Sequence, residues 1–198
     1  MKKAIFFLLN DYADWESAYL ASRLNISKEW QVETASLDKG TCKSMGNFNT
    51  VITYSLEKIP RDIDLFVLIG GNSWNIENNE LKSLITFYLT SGVIVGAICG
   101  AVDFLARNGL LNNFQHTGNS QYLWNGYKEY KNGENFIKEQ TVTDRNLITA
   151  NGTAAIEFSE QILKAIYNEK KEEIEKEHEL SGLVITTIVI NMTIHFLK

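Results

Sequence analysis

G-V-I-V-G-A-I-C-G-A, residues 92–101, is the stretch that decides the fold. Residues 93–98 are a short, continuous, β-branched run of the kind buried on both faces of a sheet. Cys99 ends the run, Gly100 and Ala101 follow at once, and helical spacing starts with Val102 and Asp103. A strand that breaks into a helix with a thiol at the corner is a cysteine nucleophile elbow. Such a corner lifts the sulfur out of the sheet and sets it at a helix N-terminus, where unpaired N–H groups favour thiolate over thiol. Gly100 suits the turn because it has no Cβ, and it leaves the next N–H open to an incoming oxygen.

Working outward, strand and helix signals alternate, which predicts an α/β fold: a mostly parallel sheet with helices on both faces. Residues 3–9 read as the first strand, 14–24 as a helix with Asp14 as N-cap, and 31–37 as a second strand. Residues 41–54, centred on Met45-Gly46-Asn47, read as a hairpin. A very apolar strand at 64–69 ends in Gly70-Gly71-Asn72, a helix covers 80–90, and the Cys99 strand follows. Asn108-Gly109 stops the elbow helix. Beyond it come a short strand at 114–117, a polar and aromatic stretch at 120–130, two short strands within 140–150 around Asp144-Arg145-Asn146, and a last helix at 153–167. In open sheets of this kind ligands sit beyond the carboxyl ends of the strands. Cys99, Gly70-Gly71 and residues 11–16 all fall there.

With 198 residues and 44% hydrophobic content, the chain is expected to form one domain over 1–168. Residues 169–179 are a charge run and 180–197 an apolar tail, expected to pack on the domain or at a dimer interface rather than in a membrane. A net charge of −5, with no basic stripe, argues against a nucleic-acid partner. The apolar start is cut short by Asn10-Asp11, so it reads as a strand rather than a signal peptide. Cys42 and Cys99 make no disulfide framework, which points to free thiols in the cytoplasm. The three histidines lie far apart without partners at ligand spacing, so no metal and no cofactor are expected.

A reactive thiol needs partners. Glu16, in D-Y-A-D-W-E just past the first strand, is a candidate carboxyl for the sulfur pocket, shielded by Trp15. Burial and a nearby thiolate would both raise its pKa and make it a proton carrier. The Gly71 and Gly100 N–H groups are candidates for an oxyanion hole, with Trp74 as a pocket wall.

These pieces resemble the ThiJ/PfpI family, the class I glutamine amidotransferase-like proteins that include the parkinsonism-associated deglycase. The resemblance rests on the apolar first strand with D-Y-A-D-W-E, I-G-G-N at 69–72, A-I-C-G-A at the elbow, L-A-R-N-G-L-L-N-N-F at 105–114 and T-A-N-G-T-A-A-I-E-F at 149–158. They occur in family order over residues 1–167, and they look most like a bacterial subgroup regarded as intracellular cysteine proteases. The resemblance implies a flavodoxin-like sandwich, a Cys99 nucleophile supported by Glu16, and homodimers. One departure stands out. Where many members carry a histidine after the segment matching 110–114, this chain has Asn119, and His116 lies three residues earlier. Positions three apart on a strand face opposite ways, so His116 is a site neighbour without inheriting the role. Asparagine cannot accept the nucleophile's proton.

The function expected is therefore a cysteine-dependent hydrolase or amidase acting on a small-molecule or peptide substrate. The alternatives are glyoxalase- or deglycase-like action on reactive dicarbonyls, a redox or electrophile sensor in which Cys99 is oxidised or alkylated, and a binding module on an enzyme scaffold.

Overall fold

A computed structural model describes residues 1–176 of the chain; the apolar tail 180–197 lies outside the described residues. Strand β1 (Lys2–Phe7) runs in the middle of a seven-stranded sheet. After helix α1 (Asp14–Ser27), the chain lays β2 (Trp30–Ser36) beside β1. A separate antiparallel hairpin follows, β3 (Gly40–Lys43) and β4 (Asn49–Ile52), and then β5 (Tyr54–Ser55) on the outer side of β2. The chain then crosses to the other side of β1. There β6 (Leu65–Leu68), β7 (Ile94–Ile98) and β9 (Leu147–Ala150) pair in parallel, and β8 (Thr141–Asp144) closes the edge antiparallel to β9. The strand order reverses between β1 and β6, which makes the carboxyl ends of β1, β6 and β7 the natural ligand crevice.

Side-chain alternation along the buried strands builds two cores. Ile5, Phe7, Phe66, Leu68, Val95 and Ala97 meet helices α2 (Asn79–Thr90) and α3 (Gly100–Arg107) on one face. Phe6, Leu8, Val67, Ile69, Ile98 and Ile148 meet α1 and α4 (Ala155–Ile166) on the other. Helix α2 buries Leu81, Leu84, Ile85 and Tyr88 at helical spacing, and its Asn78 cap accepts the Leu81 N–H at 2.8 Å. The α/β sandwich read from the sequence is thus the architecture found. Among the described residues no helix is long and apolar enough to cross a membrane.

Two local expectations need correction. Asp14 is the first residue of α1, and the cap position is Ala13. The Asp14 carboxylate instead accepts the Gly46 N–H at 2.8 Å, tying α1 to the hairpin turn; it found a better donor across the chain than along it. Residues 114–117 form no strand. Their pairing is a single bridge between His116 and Phe136, because Thr117 turns its N–H to the Thr149 Oγ1 at 2.9 Å.

Phe158 is fully buried on α4 and sits against Gly96 of the central β7. Phe158→Ala is expected to lower stability by about 3–5 kcal/mol, read as a drop in the urea midpoint at unchanged slope.

Candidate active site

Strand β7 ends at Ile98 and α3 begins at Gly100, so Cys99 is the single residue of the corner. Its backbone has φ 57° and ψ −127°, a conformation that costs a non-glycine residue on the order of 1–3 kcal/mol. The strained corner is held from both sides. The Cys99 N–H donates to the Ala150 carbonyl at 3.0 Å, and the Cys99 carbonyl accepts the Val102 N–H at 3.0 Å. The side chain is half-buried.

Helix α1 brings Glu16 to this corner, with the residue fully buried. Its Oε2 accepts the Gly70 N–H at 2.8 Å. The other oxygen, Oε1, is buried with no hydrogen-bond partner among the described residues. The approach depends on Gly70 having no side chain, because a Cβ there would stand 2.5 Å from the Cys99 Cβ and 2.6 Å from the Glu16 Oε2. Burial, only partly offset by the Gly70 N–H and the Cys99 thiol, raises the Glu16 pKa to about 7. Burial also pushes the Cys99 thiol up, and the Glu16 charge pushes the same way; hydrogen bonds from Asn119 and the Gly100 N–H oppose them. The helix N-terminus alone predicts a readily ionised sulfur. Desolvation and the neighbouring carboxylate reverse that balance. The two acids titrate as a unit, giving up one proton near pH 7 and holding the second above the usual thiol range.

The remaining sulfur contact comes from Asn119. Its Nδ2 donates to the Cys99 Sγ at 3.2 Å, while its Oδ1 accepts the Gly152 N–H at 2.8 Å. The Gly152 bond sets the amide orientation and aims the NH2 at the sulfur. Gly152 also keeps the sulfur open, because a Cβ there would lie 2.8 Å from the Sγ. Trp15, 49% exposed, donates from Nε1 to the Gly152 carbonyl at 3.3 Å and so spans the pocket from α1.

The other sequence candidates divide. The Gly71 and Gly100 N–H groups lie at the carboxyl end of β6 and at the start of α3, and the Gly71 carbonyl faces the Gly100 Cα. Trp74 is buried beneath the elbow, donating to the Ile69 carbonyl at 2.8 Å and packing on Phe7 and Phe104. His116 is not brought to the thiol. It is fully buried, with Nδ1 2.8 Å from the Phe114 carbonyl, Nε2 2.8 Å from the Tyr130 hydroxyl, and burial pushing its pKa down. The carbonyl demands a proton on Nδ1, which leaves Nε2 to accept from the tyrosine. Sequence reasoning did not assign roles to Gly70 and Gly152, although both lie in quoted motifs. Their signal is steric and exists only once the elbow is folded. Among the described residues no three His, Cys, Asp or Glu side chains are grouped to hold a metal ion.

A model of the DJ-1/PfpI family matches residues 2–165. The chain belongs to the DJ-1/PfpI family. It is 49% identical over 176 residues to a Bacillus subtilis (strain 168) protein named uncharacterized protease YdeA, covering 89% of each chain. Among solved structures it resembles the DJ-1 superfamily protein Atu0886 from Agrobacterium tumefaciens, with a TM-score of 0.82, 28% identity, and coverage of 91% of this chain and 100% of that one. It also resembles the ThiJ/PfpI family protein from Bacillus anthracis, with a TM-score of 0.78, 33% identity, and coverage of 83% and 82%. The resemblance read from the motifs is therefore the relationship found.

For this DJ-1/PfpI chain the buried acid has a thermodynamic signature. Folded Glu16 keeps its proton up to about pH 7, whereas the unfolded side chain releases it near 4.5. The stability supplied by burying the neutral acid is complete below about pH 4.5 and is lost as pH rises through about 7. The span corresponds to about 3 kcal/mol, and Glu16→Gln is expected to flatten that slope in denaturant titrations across the window. Replacing Asn119 removes the donor to the sulfur together with the acceptor for the Gly152 N–H. Asn119→Leu is expected to move the midpoint of iodoacetamide labelling at Cys99 to higher pH; an unmoved midpoint would show that the amide does not stabilise the thiolate.

Proposed function

We propose that this DJ-1/PfpI protein is a cysteine-dependent hydrolase of the amidase or protease type, acting on a small carbonyl or amide substrate through Cys99 and Glu16. The observation that carries the reading is the fully buried Glu16 beside the thiol, its pKa lifted to about 7. An acid–base group serves best when its pKa lies near the working pH. The Glu16 carboxylate takes the thiol proton as the sulfur bonds to the carbonyl carbon. The carbonyl oxygen takes the charge and is received by the Gly71 and Gly100 N–H groups. Protonated Glu16 then returns the proton to the departing nitrogen, and water releases the acyl group from sulfur. Asn119 steadies the sulfur but moves no proton. The same reading takes the chain as a cytoplasmic homodimer, in keeping with its free cysteines and its family.

Asn119 favours a second reading. With no basic group besides Glu16 in contact with the sulfur among the described residues, addition to a reactive dicarbonyl is the easier chemistry, because it expels no amine. The oxyanion then needs one proton, which Glu16 can give.

Turnover of p-nitrophenyl acetate and of alanine p-nitroanilide tests the first reading, and consumption of methylglyoxal tests the second. Cys99→Ala is expected to abolish turnover of the active class. Glu16→Gln should lower kcat by about 10²- to 10⁴-fold and erase the rise in rate through pH 7. Turnover that survives in Cys99→Ala ends both readings.

A further inference from the structure

Three of the four tryptophans in the chain are core residues. Trp30, Trp74 and Trp124 are buried, and each donates its indole N–H in a short bond, to the Tyr167 hydroxyl at 2.8 Å, the Ile69 carbonyl at 2.8 Å and the Asp103 Oδ1 at 2.6 Å. Trp15 differs on both counts. It is half-exposed, and its bond to the Gly152 carbonyl is 3.3 Å, just beyond the usual N–H to oxygen range. A large ring held half in water by one long bond adds little to a core.

That bond closes a ring of groups around the sulfur. Trp15 is the chain neighbour of Glu16, which meets the Cys99 thiol from α1. Gly152 lies against the same sulfur from the opposite side, on the turn that the Ala154 N–H closes by donating to the Asn151 carbonyl at 3.1 Å. The indole bridges from α1 to this turn, with the sulfur between them. Gly152 is also held from its other end, because its N–H donates to Asn119, whose Nδ2 donates to the sulfur. Indole and amide therefore grip the two sides of one residue that carries no side chain of its own.

We propose that Trp15 is a gate that determines which molecules reach Cys99: latched on Gly152 the indole admits slender ones, and released into water it admits branched ones. The latch is a single hydrogen bond, and one net bond of this kind favours the closed arrangement by about fivefold. Half of the ring already lies in solvent, so opening exposes little further apolar surface. Molecules branched close to the reacting carbon wait for the open state, whereas slender ones react in either. The inference goes beyond the hydrolase reading and stands without it, because it concerns access to the sulfur and not what the sulfur does.

The test is alkylation of Cys99 by iodoacetamide and by N-tert-butyl iodoacetamide, which share a reacting carbon and differ in bulk. Product is counted on the Cys99 peptide by mass spectrometry, so buried Cys42 does not contribute. Each rate is divided by that of the same reagent with glutathione. The ratio of the two is then insensitive to the thiolate fraction, which enters both alike. In the parent protein the bulky reagent is expected to lag about fivefold. Trp15→Phe keeps a ring and loses the latch, Trp15→Ala loses both, and each should bring the ratio close to one. Emission from the three buried tryptophans reports whether each variant is folded. A parent ratio already near one overturns the proposal. So does a lag that persists in Trp15→Ala, which puts the barrier elsewhere. Relief by Trp15→Ala but not by Trp15→Phe overturns it too, since bulk without a latch would then do the blocking.

Discussion

Two acidic side chains share one dry corner, and the corner tolerates a single negative charge. Glu16 is fully buried and Cys99 half-buried, so each pays for ionisation against the other as well as against lost water. The backbone supplies one N–H to the carboxylate and one to the sulfur, which is too little to stabilise both charges. The corner exists because β1, β6 and β7 end side by side and hand the chain to α1, to Gly70 and to α3. A side chain at Gly70 would separate the pair.

The sulfur's third partner is an amide where many relatives of this kind place a histidine. An amide N–H steadies negative charge on sulfur without being able to remove its proton. Proton movement is thereby concentrated on Glu16. His116, the titratable ring nearest in sequence, is committed to a buried aromatic cluster with Trp124, Tyr130 and Phe136. It holds the segment carrying Asn119 in shape. Trp124 adds to this by packing under Gly118 and donating to the Asp103 Oδ1 at 2.6 Å, which ties the segment to the first turn of α3. One loop thus delivers the amide to the sulfur.

Most of the fold was legible from periodicity and punctuation. The β-branched runs, the Gly-Gly after β6, the Asn-Gly after α3 and the turn at Arg145, whose φ is +54°, all mark real boundaries. The misses share a cause. Residues 114–117 have strand-like composition, but their pairing stops at one bridge from His116 to Phe136, and the Thr149 hydroxyl took the Thr117 N–H. Asp14 has the chemistry of a cap, yet the hairpin turn competed for its carboxylate and won.

The sequence by itself determined the alternation of strands and helices, the thiol at a strand-to-helix corner, the candidate acid in the first turn of the helix that follows β1 and the absence of histidine at position 119, because these are properties of local order and residue type. Only the tertiary structure decided the protonation of the pair, the aim of the Asn119 amide and the fate of His116. Those depend on how much water is excluded and on which groups meet across the chain, and neither quantity is local.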